Sequence, residues 1–127
     1  MFDAIDHVGV PVTDVVHAVA FYQLLGFTHA YHDEHGSILI AGNARLFVFT
    51  GRQGPSPFAE QRMGWPGVSP RIDRITLVVA DVDRVHAELR ARGVAFRGEP
   101  ADHDWGARLV GLDDPDGNHL YLQEWIS

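Results

Sequence analysis

The chain has 127 residues, of which 46% are hydrophobic, 21% charged and 10% aromatic, proportions of an ordinary globular protein long enough to bury a substantial core. It has no cysteine, which excludes disulfides, thiolate metal sites and a cysteine nucleophile. Its 10 basic residues, all Arg, stand against 17 acidic ones for a net charge of −7, so phosphate backbones are repelled and nucleic acid is not an expected partner. No apolar run approaches the ~18 residues of a membrane span. The opening MFDAIDHVGVPV lacks the basic start and long apolar stretch of a signal peptide. A cytoplasmic protein without membrane contact is expected.

Residues 5–12 form a short, β-branched run that suits a strand. Thr13 or Asp14 follows where an N-cap belongs, and Val15, Val19, Tyr22 and Leu25 recur on one helical face. Gly26 supplies the left-handed residue that ends the helix. Three strands are predicted next, at about 27–32, 37–41 and 45–50, turned by Asp33-Glu34-His35-Gly36 and Gly42-Asn43. Residues 51–71 hold 8 Gly or Pro in 21 positions and read as a linker. Its Phe58, Met63 and Trp65 either pin it to the surface or close over a ligand or partner subunit. A second strand–helix unit follows, with a strand at 72–79, Asp81 as cap, Val82, Val85 and Leu89 on one face, and Gly93 as the stop. Strands at about 94–98, 107–112 and 119–125 complete the chain, with turns at Asp102-His103-Asp104 and from Asp113 to Asn118.

The second half repeats the first. Ile5 to Val15 recurs as Ile72 to Val82 with five of eleven positions identical, and the same offset of 67 carries Gly26 onto Gly93. Both halves are βαβββ. The predicted fold is α+β, two βαβββ modules forming a cupped mixed sheet. All of residues 1–127 are expected in a single domain, with module 1 at about 1–50, a linker at 51–71 and module 2 at about 72–127.

Ile5-Asp6-His7-Val8, Leu24-Leu25-Gly26-Phe27, Trp105-Gly106 and Asp114-Pro115-Asp116-Gly117-Asn118, set in such paired units, resemble the vicinal oxygen chelate superfamily. That superfamily includes glyoxalase I, extradiol dioxygenases, fosfomycin-resistance enzymes and bleomycin-resistance proteins. The resemblance implies sheets curled around a shared cup, commonly within a homodimer. It also implies a divalent ion held by His and Glu from the first and last strands of each module. The matching places in this chain are His7, Phe47, Arg74 and Tyr121. His7 is retained, but a phenyl cannot ligate, a guanidinium repels cations and a phenol is a poor ligand. Neither a metal nor another cofactor is expected. The competing arrangement is a site rebuilt from His7, His119 and one acid, since His119 and Gln123 share Tyr121's face of a strand.

With Phe49 on the face of Phe47, and Trp105 placed by the resemblance on a loop near the mouth, the cup becomes aromatic with an imidazole and a cation. The candidate ligand-binding residues are His7, Phe47, Phe49, Arg74, Trp105, His119 and Tyr121. The expected reading is a metal-free protein resembling the bleomycin-resistance type. Its ligand is an aromatic or partly anionic metabolite or drug whose anionic group pairs with Arg74. The alternative is an enzyme of the same superfamily, of lyase, isomerase or dioxygenase-like type. It would work without metal, with His7 as base, Tyr121 as acid and Arg74 stabilising an oxyanion, or through the rebuilt metal site. A third possibility is a filled cup, with Phe47, Phe49 and Tyr121 packed together and Arg74 paired to Asp6 or Asp73.

Other polar clusters read as structural. Strand parity sets His29 and His32 on opposite faces with His35 in the turn, a solvated hairpin tip rather than a metal tract. His17 and His86 are expected on or beside the polar faces of their helices. The Asp114–Asn118 run lacks the alternating ligands and final Glu of a calcium loop and reads as a turn.

Overall fold

The computed structural model describes residues 1–50 and 74–126; the linker aromatics Phe58 and Trp65, Met63 and Asp73 lie outside the described residues. Strand β1 (Val8–Val12) turns Val10 and Val12 inward and Gly9 and Pro11 outward. Asp14 caps helix α1 (Val15–Leu24) by accepting the His17 N–H at 3.1 Å. Gly26, at φ 104°, lets the chain leave the helix and enter β2 (Thr28–His32), β3 (Gly36–Ala41) and β4 (Ala44–Thr50). The sheet order is β1-β4-β3-β2, with β1 parallel to β4 and the other pairs antiparallel. The second module repeats this plan with β5 (Ile75–Val78), α2 (Val82–Ala91), β6 (Ala101–His103), β7 (Ala107–Asp113) and β8 (His119–Trp125), in the order β5-β8-β7-β6. Asp81 caps α2 by accepting the Arg84 N–H at 3.1 Å. Two βαβββ modules of α+β class result, as the internal repeat predicts.

Each helix covers one face of its own sheet. Val10, Val12, Val19, Tyr22, Leu39, Leu46 and Val48 form the core under α1, and Val82, Leu89, Val110, Leu112, Leu120 and Leu122 continue it under α2. Because strand side chains alternate, the residues between these point to the opposite faces: Arg45, Phe47 and Phe49 on β4, and His119, Tyr121 and Trp125 on β8. No helix among the described residues is long and apolar enough to cross a membrane.

The Asp114–Asn118 turn ties the modules together. Asp114 Oδ1 accepts the N–H groups of Asp116 and Asn118 at 2.9 and 2.8 Å, and Oδ2 accepts the hydroxyl of Tyr22 at 2.9 Å. Asp116 Oδ1 accepts both the N–H and the hydroxyl of Thr13, and Asn118 Nδ2 donates to the Pro11 carbonyl. The run is a structural turn, as its sequence indicates, with the added role of a latch onto β1 and α1.

Three local expectations are corrected. Residues 94–98 are not a strand. They make only a Phe96–Leu112 bridge, and the strand beside β7 forms at Ala101–His103, where a turn was predicted. Pro100 lacks the N–H that would extend the ladder backwards, and Arg108 on β7 holds Asp102 across the pair at 2.9 Å. In β2 a bulge between His29 and Tyr31 shifts the parity, bringing the His29 and His32 rings to 6.1 Å instead of setting them on opposite faces. His86 is 6% exposed and packs on Phe96 at 4.5 Å, because it shares the inward stripe of α2 with Val82 and Leu89 rather than its polar face.

Candidate functional site

On the module 1 sheet, β4 lies between β1 and β3, and Phe47 and Phe49 stack with centroids 5.4 Å apart and planes at 12°. Glycine beside them leaves room for the rings: a Cβ on Gly36 would collide with the Val48 carbonyl oxygen and stand 3.0 Å from the Phe47 ring, and one on Gly9 would stand a tight 3.3 Å from the Phe49 ring. His7 presents its ring edge to Phe47 at 6.2 Å. The His7 Nδ1 lies 2.9 Å from Asp6 Oδ2, and Arg45 reaches Asp6 Oδ1 at 3.3 Å. The hydrogen bond from His7, then the charge of Arg45, hold the Asp6 carboxyl below the ordinary carboxylate range. His7, Phe47 and Phe49 are therefore brought together as predicted, with Asp6 and Arg45 behind them.

On the module 2 sheet, Tyr121 sits in β8 between Thr76 of β5 and Gly111 of β7. The guanidinium carbons of Arg74 and Arg97 lie 5.1 and 4.9 Å from its ring centroid. Arg97 fits there because Gly111 has no side chain; a Cβ at that position would stand 2.8 Å from Arg97 Nη2. Arg97 also donates to the Tyr121 hydroxyl at 3.4 Å and pairs with Asp113 Oδ1 at 3.3 Å. That same carboxylate oxygen meets His119 Nδ1 at 2.6 Å. Arg74, His119 and Tyr121 are thus grouped as predicted. Arg97 and Asp113 belong to the group and were missed. Arg97 lies within the segment expected as a strand at about 94–98, where no pattern singled it out, and only the pairing of Gly111 with Tyr121 opens the space that admits it.

Trp105 stands apart from Tyr121. It packs on Trp125 at 6.0 Å and on His103 at 5.8 Å, near the end of β8, and Trp125 is four residues beyond Tyr121, about 13 Å along the strand. A cavity of about 450 Å³ lies where the modules meet, lined by Val8 to Pro11, Arg74, Ile75 and Asp116 to His119. Of the predicted residues, Arg74 and His119 line it.

A sequence model of the Glyoxalase/Bleomycin resistance protein/Dioxygenase superfamily matches residues 4–122. The chain belongs to this superfamily. Over 112 residues it is 29% identical to a bleomycin resistance protein of Klebsiella pneumoniae, covering 88% of this chain and 85% of that protein. Among solved structures it resembles SMU.1112c, with a TM-score of 0.79 and 26% identity over 98% of this chain and 100% of that one. It also resembles a bleomycin-binding protein complexed with bleomycin, with a TM-score of 0.70 and 22% identity over 97% and 98% of the two chains. This last likeness speaks for the fold.

The divalent ion associated with many superfamily members does not fit the residues found here. Two guanidiniums crowd the Tyr121 position, a phenyl occupies the Phe47 position, and the carboxylate beside them, Asp113, is already engaged by Arg97 and His119. A second acidic group, Asp81, Asp83 and Glu124, has oxygens within 4.8 Å of one another. Each of these carboxylates has a structural partner: Asp81 caps α2 through Oδ1, Glu124 Oε1 accepts the Val82 N–H at 2.8 Å, and Asp83 binds Arg108 through both oxygens at 2.9 Å.

Proposed function

We propose that this superfamily member is a metal-free small-molecule-binding protein of the bleomycin-resistance type. Its ligand is an aromatic compound carrying an anionic group, held against the sheet faces that bear Phe47, Phe49, Arg74 and Tyr121. The carrying observation is the Tyr121 ring flanked by the guanidiniums of Arg74 and Arg97, the latter also paired with Asp113, which sets planar donors beside an aromatic surface. The Klebsiella pneumoniae relative and the bleomycin-binding neighbour support a binding role for the class. The protein works in the cytoplasm as a homodimer, the assembly common in this superfamily. Sedimentation is expected to give twice the mass of the chain, and a strict monomer at micromolar concentration contradicts the dimer.

The ligand reading is tested by titrating 2-naphthoate and its neutral counterpart 2-naphthamide into chelator-treated protein. Arg74→Ala is expected to weaken the naphthoate by about tenfold more than the amide, as befits loss of one charge-assisted contact of about 1.4 kcal/mol. Equal weakening of the two removes Arg74 from direct contact with the ligand.

A further inference from the structure

On the side of the sheets that carries the helices, the core is left open where the modules meet. Helix α1 packs on β2, β3 and β4 and α2 on β7 and β8, so each helix covers its own sheet. A groove of about 560 Å³ lies at the seam, within the ~300–1,000 Å³ range of small-molecule sites. Leu25 and Phe27 line it from module 1, and Leu77, Val79, Val85 and Leu89 from module 2. Leu25, Leu77, Val79 and Val85 pack against the core yet stay only partly buried. Asn43, between β3 and β4, is the one polar side chain of the lining among the described residues. The groove is separate from the aromatic faces: Leu122, which also lines it, alternates along β8 with Tyr121.

A cation stands beside the rim. Arg92 follows Leu89 by three residues at the end of α2, and its Nη1 donates to the Leu24 carbonyl, next in the chain to Leu25, at 3.0 Å. A guanidinium has five N–H donors, and the side chain is exposed. Among the described residues Arg45, Arg84, Arg90, Arg97 and Arg108 each meet a carboxylate, whereas Arg92 meets none. Glu88, one turn back on α2, is held by Arg84 at 3.2 Å. We propose that this groove is a second binding site, for a straight-chain fatty carboxylate whose alkyl chain lies on the apolar walls and whose head group meets Arg92. An apolar groove with an unpaired cation beside its rim matches an amphiphile charged at one end. Burial of the chain drives binding, and the guanidinium selects a carboxylate over a neutral head group.

The probe is decanoate, compared with octanoate and decan-1-ol, titrated into the full chain by calorimetry below the concentration at which each aggregates. Decanoate is expected to bind about tenfold more tightly than octanoate, since two more methylenes leave water. Arg92→Gln is expected to weaken decanoate by about threefold and leave decan-1-ol unchanged, the size of effect an exposed ion pair gives, and Arg92→Lys to keep most of the affinity. Ala41→Phe, which fills the groove, is expected to abolish binding of both, and 2-naphthoate is expected not to displace decanoate. The inference is overturned by equal affinity for octanoate and decanoate, or by equal weakening of decanoate and decan-1-ol in Arg92→Gln. Binding unchanged in Ala41→Phe, or displacement by 2-naphthoate, overturns it as well. So does absence of decanoate binding; a dimer that Ala41→Phe dissociates would then make a second copy of the chain the occupant of the groove.

Discussion

Tyr22 is wholly buried, yet its hydroxyl finds Asp114, 92 positions away, at 2.9 Å. Burial, then the neighbouring Asp114 carboxylate, push the Tyr22 phenol well above its ordinary value. A group whose folded-state pKa is raised supports the fold fully below its unfolded value and loses that support as pH climbs past it. The contribution of Tyr22 is therefore intact at neutral pH and fades above about pH 10. Tyr22→Phe should lower stability by about 1–3 kcal/mol in urea unfolding at pH 7, with a smaller difference from the parent above about pH 10. Equal stability of the two proteins at pH 7 contradicts this account of the latch. At this scale the sequence was unevenly legible. The family resemblance points to His7, Phe47, Arg74 and Tyr121, and strand parity adds Phe49 and His119. Arg97, Asp113 and the Tyr22–Asp114 bond arise from cross-strand and cross-module contacts, which no local pattern encodes.

Among the elements, the caps and helix stops were readable because their chemistry is local: Asp14 and Asp81 bond amides three residues on, and Gly26 and Gly93 take positive φ. The edge of the second sheet was not readable, since β6 is positioned by Arg108, which spans from β7 to Asp102 and to Asp83 on α2. The hydrogen bonds of Arg108 hold the Asp83 carboxyl below its ordinary value. A depressed carboxylate supports the fold above its unfolded value, so this support is present above about pH 4 and is lost as Asp83 protonates below it. Arg108→Gln should therefore be less stable than the parent at pH 6, with the gap narrowing toward pH 2 in thermal melts. A gap that stays constant across that range contradicts the assignment. The bulge in β2 is a similar case: one inserted residue reverses the facing of every side chain after it, so His29 and His32 meet.

For the whole molecule, the repeat was the strongest signal, because one offset preserved strand, cap and helix stop together. It predicted two like modules, and two like modules are found. What the repeat does not carry is the difference between them. The module 1 face is a phenyl stack with His7, Asp6 and Arg45, whereas the module 2 face sets two guanidiniums on a tyrosine. In a chain of net charge −7, this is a place where two guanidiniums lie against one aromatic ring, with Asp113 paired to one of them. The central claim is that the sheet faces bearing Phe47, Phe49, Arg74 and Tyr121 bind an aromatic anion without a divalent ion. Its most direct test is the affinity of 2-naphthoate measured before chelation, after it, and after adding zinc, manganese, nickel or iron(II) to the chelated protein. The account predicts one affinity throughout. Binding that disappears on chelation, returns with near-stoichiometric metal and is lost in His7→Ala would contradict it.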